Sequence, residues 1–257
     1  MKILITGGNG YIGKSLFNAF KDIYDITIIT REDLDLTSFQ SMNKFFHGKY
    51  FDVVLHTAVV GGSRLKLDSY KDMDVNLIMY YNLLQHNLHY NKLIHFGSGA
   101  ELHNTESPYG LSKRIIAKSI LNTPNFYNIR IYSVFDENEL DTRFIKANIQ
   151  RYINKEPMLI ENKKMTFFHM ADLITLVNHY IKHDNCELIS EANCSYMNSV
   201  SLLDIANMIN ELGDYTVPIY MNTAIVSDYE CEFNAPYNLP YIGLAKGINL
   251  TYNKLKL

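Results

Sequence analysis

The first half of the chain alternates short apolar runs with stretches whose apolar residues recur every three or four positions. Lys2–Thr6 is a compact apolar run ending in glycines, which predicts a buried strand. Residues 10–21 place Ile12, Leu16, Phe17 and Phe20 at helical spacing. The β-branched run 25–30 (DITIIT) predicts a second strand, and 38–46 sets Phe39, Met42, Phe45 and Phe46 on one helical face. A third strand follows at 51–58 (FDVVLHTA), a helix at 72–86 and a fourth strand at 92–96. Ser107-Pro108 opens a helix over 107–121, with serine as N-cap and proline at the first helical position. A fifth strand occupies 128–134 (NIRIYSV). Past about residue 135 the pattern loosens. Helices are expected at Phe144–Ile153, 172–182 and 201–212, and 234–240 reads as an Asn- and Pro-rich loop.

Strand–helix alternation with short strands apolar on both faces predicts an α/β fold, a Rossmann-type doubly wound parallel sheet with helices on both sides. In such a sheet ligands sit at the carboxyl ends of the strands. The expected organisation is a nucleotide-binding sheet domain over 1–135 with a return segment at about 166–190. About 136–165 and 191–257 would form a small C-terminal substrate lobe.

Composition narrows the chemistry. The chain has 257 residues, 47% of them hydrophobic and 20% charged, with a formal net charge of −3. No basic stripe exists, so a nucleic-acid partner has no electrostatic support. Cys186, Cys194 and Cys231 form no C-x-x-C pair and have no histidine cluster beside them, so no metal site is expected. Reduced thiols fit a cytoplasmic protein. The apolar start is broken by glycine within a few residues, too short for a signal peptide, and no run reaches the roughly 18 apolar residues of a membrane span.

Between the first strand and helix lies Gly7-Gly8-Asn9-Gly10-Tyr11-Ile12-Gly13. Glycines there let backbone approach a pyrophosphate, and the helix N-terminus turns N–H groups and the positive end of its dipole toward it. Gly13 lets the helix pack closely on the strand. The residue after the second strand selects between dinucleotides, an acid favouring NAD(H) and an arginine favouring NADP(H). Here it is Arg31, so NADP(H) is favoured and NAD(H) stays possible; the competing reading pairs Arg31 with Glu32, Asp33 or Asp35. Tyr109 and Lys113 stand at i and i+4 on one helical face. An ammonium beside a phenol favours the phenolate and brings tyrosine into range for acid–base work. The fourth strand runs into Gly97-Ser98, where a hydroxyl faces the same place; the alternative is that Ser98 caps a turn. His86, His89, His169, His179 and His183 follow no ligand geometry and read as surface or packing residues, with His169 in a turn before a helix. The pairs Tyr80-Tyr81 and Tyr237/Tyr241 read as core.

With these residues in place, the chain resembles the extended short-chain dehydrogenase/reductases, the NAD-dependent epimerase/dehydratase type that acts on nucleotide sugars, from residue 1 to about 180. Gly7-x-x-Gly10-x-x-Gly13 resembles the extended-type loop, and Asp35-Leu36 resembles the segment beside adenine. His56-Thr57-Ala58 resembles the H-x-A along the cofactor, and Arg130-Ile-Tyr132-Ser133-Val134 the strand beside nicotinamide. Phe167-Phe168-His169-Met-Ala-Asp172 is similar to F-x-H-V-x-D, and Ser98, Tyr109 and Lys113 match the catalytic triad. Val60-Gly61-Gly62 and the 30–36 segment place the likeness nearest to the GDP-fucose synthase-like 4-keto-sugar reductases. The resemblance implies cofactor contacts at Gly7, Gly10, Tyr11, Ile12, Gly13, Arg31, Asp35, Leu36, Thr57, Ala58, Tyr109, Lys113 and Tyr132. It implies substrate contacts at Gly62, Ser98, Ser133 and Arg143, a nucleotide-sugar substrate, and a homodimer built on the helices at about 72–86 and 107–121.

The chain also departs from that pattern. Ala100 stands at the position of the epimerising cysteine and Arg143 near that of its histidine, so epimerisation at C3 and C5 is not expected. The interval from Ser98 to Tyr109 is short, Ser133 replaces a common asparagine, and Met165 stands where a phosphate-contacting arginine is common. The leading expectation is NADPH-dependent reduction of the C4 keto group of a nucleoside-diphosphate 4-keto-6-deoxy sugar. The alternatives are a 4-epimerase with bound NAD and a non-catalytic dinucleotide-binding protein.

Overall fold

The apolar runs of the first half become strands because both of their faces are covered. Ile3, Leu4, Ile5, Val54, Leu55, Leu93, Ile94 and Ile129 are fully buried. The computed structural model describes residues 1–63, 66–197, 200–222, 224, 226–231 and 238–257. In chain order the elements are β1 (Lys2–Thr6), α1 (Tyr11–Phe20), β2 (Asp25–Ile29), α2 (Phe39–Phe46), β3 (Phe51–His56), α3 (Tyr70–Gln85), β4 (Tyr90–Ser98), α4 (Ala100–His103), α5 (Pro108–Ile120) and β5 (Phe126–Ile131). Then come β6 (Val134–Phe135), α6 (Phe144–Ile153), β7 (Met158–Glu161), β8 (Lys164–Met165), β9 (Phe168–His169), α7 (Met170–Lys182), β10 (Glu191–Asn193), β11 (Val200–Ser201), α8 (Leu202–Asn210), β12 (Ile219–Asn222) and α9 (Leu244–Leu255).

The chain forms two compact units, Met1–Ile131 with Asn178–Ala192, and Tyr132–Val177 with Asn193–Leu257. The first is organised on a six-stranded sheet of order β10-β5-β4-β3-β1-β2, in which β2, β1, β3, β4 and β5 run parallel. This is the expected Rossmann-type sheet flanked by helices. Its core gathers Leu4, Met42, Phe46, Phe51, Tyr80, Leu83 and Ile116. Local chemistry starts the helices where the sequence requires it. Ser107 accepts from Gly110 N at 3.0 Å, with Pro108 at the first helical position. Ser69 and Asp72 form a reciprocal capping box that starts α3 two residues earlier than expected.

The second unit has its own core of Phe135, Ile145, Tyr152, Phe167, Ile205 and Ile248. Among the described residues its strands pair in twos, β6 with β9, β7 with β12 and β8 with β11. Buried Asp172 staples this unit together. Its carboxylate accepts from Ile242 N at 2.8 Å and Gly243 N at 3.1 Å, and also from the Tyr196 hydroxyl.

Several expectations need correction. The fifth strand stops at Ile131, and β6 pairs with β9 inside the second unit, so 132–135 leave the first unit. The segment returning to the first unit is 178–192, because Phe167 and Phe168 are buried with the second. His169 lies in β9 and not in a turn. Tyr80 is core, but Tyr81 is on the surface at 39% exposure. Tyr237 and most of 234–240 lie outside the described residues.

Candidate active site

In the sheet of the first unit the winding reverses between β1 and β3, and a parallel sheet opens a crevice at the carboxyl ends of such strands. The glycine loop leaves β1 at that point. Gly7 has φ +72°, and a Cβ there would lie 2.6 Å from Ala58 N, so only glycine fits. A Cβ on Gly13 would lie 2.5 Å from Gly7 O, so the helix packs as closely as expected. Gly10 caps α1 with no side chain over its end, and Tyr11, Ile12 and Gly13 form the first turn, whose N–H groups lie beyond the reach of intrahelical carbonyls. Thr57 Oγ1 donates to Thr6 O at 2.6 Å, and Ala58 N donates to Thr6 Oγ1 at 3.3 Å, which fixes the facing wall.

The loop after β2 is shaped by its acids. Asp33 accepts from the backbone and hydroxyl of Thr30, both at 2.8 Å, and Asp35 accepts from Thr37 N at 2.9 Å and Thr37 Oγ1 at 2.7 Å. Those bonds, with Arg31 adding its charge, hold the Asp35 carboxyl below its ordinary range. Among the described residues Arg31 makes no ion pair and is exposed, so its guanidinium faces solvent as the cation of this loop. Leu36 packs into the core, and its carbonyl accepts from Asn82.

Ser98 ends β4, level with Ile131 of β5. Its Oγ accepts from Ala100 N at 3.2 Å, so it does brace a turn, and its own O–H stays available to donate. Tyr109 stands in the first turn of α5, half-buried, with the Lys113 Nζ 5.9 Å from its ring centroid. The Val60–Gly62 loop closes on that ring. Asn76, buried on α3, accepts from Val60 N at 2.8 Å and donates to Val60 O at 2.9 Å. Gly62 has φ +73°, and a Cβ on it would fall 2.7 Å from Tyr109 Cζ. Gly110 takes a close approach as well, since its Cβ would meet Asn104 O at 2.0 Å; this packs the short α4 segment onto α5.

Lys113 is buried and donates to Phe96 O at 2.6 Å, with Nζ 3.3 Å from His95 Nε2. Burial pulls its ammonium down to about 8, against the attraction of Glu101. His95 is held well below its usual range by burial and by the Lys113 charge, and His56 is lowered to about 3 for the same two reasons. Of these three basic groups, only the lysine carries charge at neutral pH. Glu101 turns away from this cluster to Arg130, whose guanidinium also reaches Glu191 at 2.8 Å.

The structure thus brings Gly7, Gly10, Tyr11, Ile12, Gly13, Thr57, Ala58, Gly62, Ser98, Tyr109 and Lys113 onto one unit. Tyr132, Ser133 and Arg143 belong to the other. There Tyr132 is buried 5.4 Å from the Tyr229 ring, Ser133 O accepts from Phe168 N at 2.9 Å, and Arg143 occupies the N-cap position of α6 with no side-chain capping bond. Sequence reasoning passes over His95 and Asn76. Each is a buried polar residue between apolar neighbours, Ile94 and Phe96 in one case and Val75 and Leu77 in the other, which is the available signal.

The description of the NAD dependent epimerase/dehydratase family matches residues 3–191. The chain belongs to that family. Among relatives of this epimerase/dehydratase, CDP-abequose synthase of Yersinia pseudotuberculosis is 21% identical over 90% of this chain and 93% of its own length. GDP-mannoheptose C4 reductase from Campylobacter jejuni, solved with NADP bound, superposes with a TM-score of 0.85 at 18% identity, over 100% of this chain and 98% of that one. A GDP-D-glycero-L-gluco-heptose synthase from Campylobacter jejuni, solved in the presence of NADPH, gives 0.83 at 18% identity, over 100% and 98%. At these identities the likeness is one of fold. No helix among the described residues is long and apolar enough to cross a membrane, and no group of metal-ligating side chains occurs among them.

Proposed function

We propose that this epimerase/dehydratase-family chain is a cytoplasmic NADP(H)-dependent reductase of the C4 keto group of a nucleoside-diphosphate 4-keto-6-deoxy sugar. The observation that carries the reading is the placement of Tyr109 over the buried Lys113 ammonium, on the same unit as the glycine cradle and beside the strand that ends in Ser98. The names borne by the similar proteins, a nucleotide-sugar C4 reductase with NADP among them, support the substrate class.

The residues fit the dinucleotide. Gly7 and Gly13 let the loop and the start of α1 pack against Thr57, Ala58 and each other with no Cβ between them, and the first-turn amides of Tyr11, Ile12 and Gly13 suit a pyrophosphate. Arg31 would hold a 2′-phosphate, Asp35 and Leu36 would flank adenine, Thr57 and Ala58 would line the path, and Lys113 would bind the nicotinamide ribose. When bound, the nicotinamide supplies the hydride. Everything else falls to side chains. The Ser98 hydroxyl donates to the substrate O4 and orients it. Tyr109 gives its phenolic proton to the same oxygen, and the Lys113 ammonium stabilises the phenolate left behind. Gly62 clears the space that lets the Tyr109 ring lie there. Tyr132 keeps its proposed cofactor role, and Ser133 and Arg143 their proposed substrate roles, on the second unit.

Arg31, unpaired among the described residues, weighs against a 4-epimerase with tightly held NAD. Incubated with NADPH and a panel of nucleotide-linked 4-keto-6-deoxy sugars, the protein is expected to oxidise NADPH. Tyr109→Phe should lower the rate by about 10²–10⁴-fold while NADPH binding persists. Turnover that survives Tyr109→Phe would overturn the assignment.

A further inference from the structure

A buried imidazole stands in the middle of β4, inside the apolar stretch from Leu93 to Phe96. His95 is 1% exposed, between Ile94 and Phe96. Its Nε2 lies 3.3 Å from Lys113 Nζ. Lys113 is always a donor while charged, so Nε2 is the acceptor, and the ring proton sits on Nδ1. Nδ1 finds no hydrogen-bond partner among the described residues. An unmet buried donor destabilises a fold, so packing alone gives no reason for histidine here. The only hydrogen-bond partner the described residues give this ring is the lysine.

The groups around it leave the ring no other charge partner. From β3, His56 lies with its ring centroid 5.4 Å away and its Nδ1 committed to Thr6 Oγ1 at 2.9 Å. From α3, the Tyr80 ring is 6.2 Å away, its hydroxyl donating to Ser119 at 3.0 Å. On α4 Glu101 is engaged by Arg130 of β5, and on α5 Tyr109 lies over the lysine. Phe96 O and His95 Nε2 are thus the acceptors within the protein for an ammonium that has almost no water.

Resting on the triad reading above, we propose that His95 is a positioning residue: as a neutral acceptor it fixes the Lys113 ammonium in its charged form, with the remaining N–H directed to the site. Burial brings the Lys113 ammonium down to about 8, so loss of one acceptor moves its discharge into the neutral range.

The test reads Lys113 itself and needs neither cofactor nor substrate. Protein carrying ¹³Cε-lysine is titrated by NMR, with the Lys113 signal assigned through Lys113→Met. Three variants separate the acceptor from the shape. Gln at 95 carries a polar atom as far out as Nε2. Asn reaches only as far as Nδ1, and Leu has no polar atom. The expected result is a midpoint lowered by about one pH unit in His95→Asn and His95→Leu, and close to wild type in His95→Gln. Should Leu not fold, the Asn and Gln pair decides. In the turnover assay the alkaline limb of kcat should move down in parallel. An unchanged midpoint in His95→Asn, or equal shifts in Asn and Gln, overturns the proposal. If the midpoints behave as expected and no nucleotide sugar is reduced, His95 keeps its role and the substrate reading is what fails.

Discussion

At the residue scale the assignment turns on a few positions where one atom decides. Arg31 is the cation of the loop after β2 because Asp33 and Asp35 are occupied with Thr30 and Thr37. If it holds the 2′-phosphate, Arg31→Ala removes charge-assisted hydrogen bonds that NADH never makes. Affinity for NADPH should fall about tenfold or more while that for NADH stays level, read by fluorescence titration; equal losses for both would remove Arg31 from the site. Ala100 is buried and has no polar side-chain atom, and the Arg143 side chain has donors and no acceptor, so neither offers a base for C3 or C5. Among these positions, the glycines of the loop and the Tyr109/Lys113 pair were readable from spacing. Gly62 was readable only as a likeness, since its reason is the Tyr109 ring, distant in sequence. His95 was hidden by the apolar run it interrupts.

At the element scale, local signals and tertiary partners contribute unequally. Strands β1 to β5 are long enough to show as apolar runs, whereas the three-residue edge strand β10 is not, and α5 is announced by Ser107-Pro108. The second unit was harder. Its strands β6, β8, β9 and β11 are two residues each and exist only through their pairing, which no periodicity records. Helix α9 carries little apolar signal because its buried face is short and mixed, Gly247, Ile248, Thr251 and Tyr252. The turn before α6 stores a testable cost. Glu139 is buried, and burial raises its carboxyl to about 8, with Arg143 and Lys146 opposing and Asp136 adding to the rise. Between the ordinary carboxylate range and pH 8 the folded state therefore binds more protons than the unfolded one, and stability falls as pH rises through that window. Glu139→Gln keeps an acceptor for Lys146 N and removes the charge. It should stabilise the protein by on the order of 3 kcal/mol at pH 8 and by little at pH 4.5, measured by urea unfolding. A pH-independent effect would contradict this.

At the scale of the whole molecule, sheet order, glycine loop and triad all reside on one unit, which is why the family resemblance was legible over the first two thirds of the chain. The chain returns to that unit over 178–192, later than expected, because Phe167 packs in the other core and the Phe167–Asp172 motif belongs to that unit. Ile78 and Tyr81 on α3 and Leu121 after α5 leave apolar surface exposed at 44%, 39% and 45%. We propose that this surface pairs two copies. Sedimentation should then give twice the 29.7 kDa chain mass, with Ile78→Asp shifting it to the monomer, and a monomeric wild type would end that reading. The proposed reaction delivers hydride to C4 and leaves C3 and C5 untouched. Its most direct test follows deuterium from C4-labelled NADPH into a nucleotide-linked 4-keto-6-deoxy sugar in ordinary water, then repeats the reaction with unlabelled NADPH in D₂O. The prediction is deuterium at sugar C4 in the first experiment and none at C3 or C5 in the second. Label absent from C4, or solvent deuterium at C3 or C5, would contradict it.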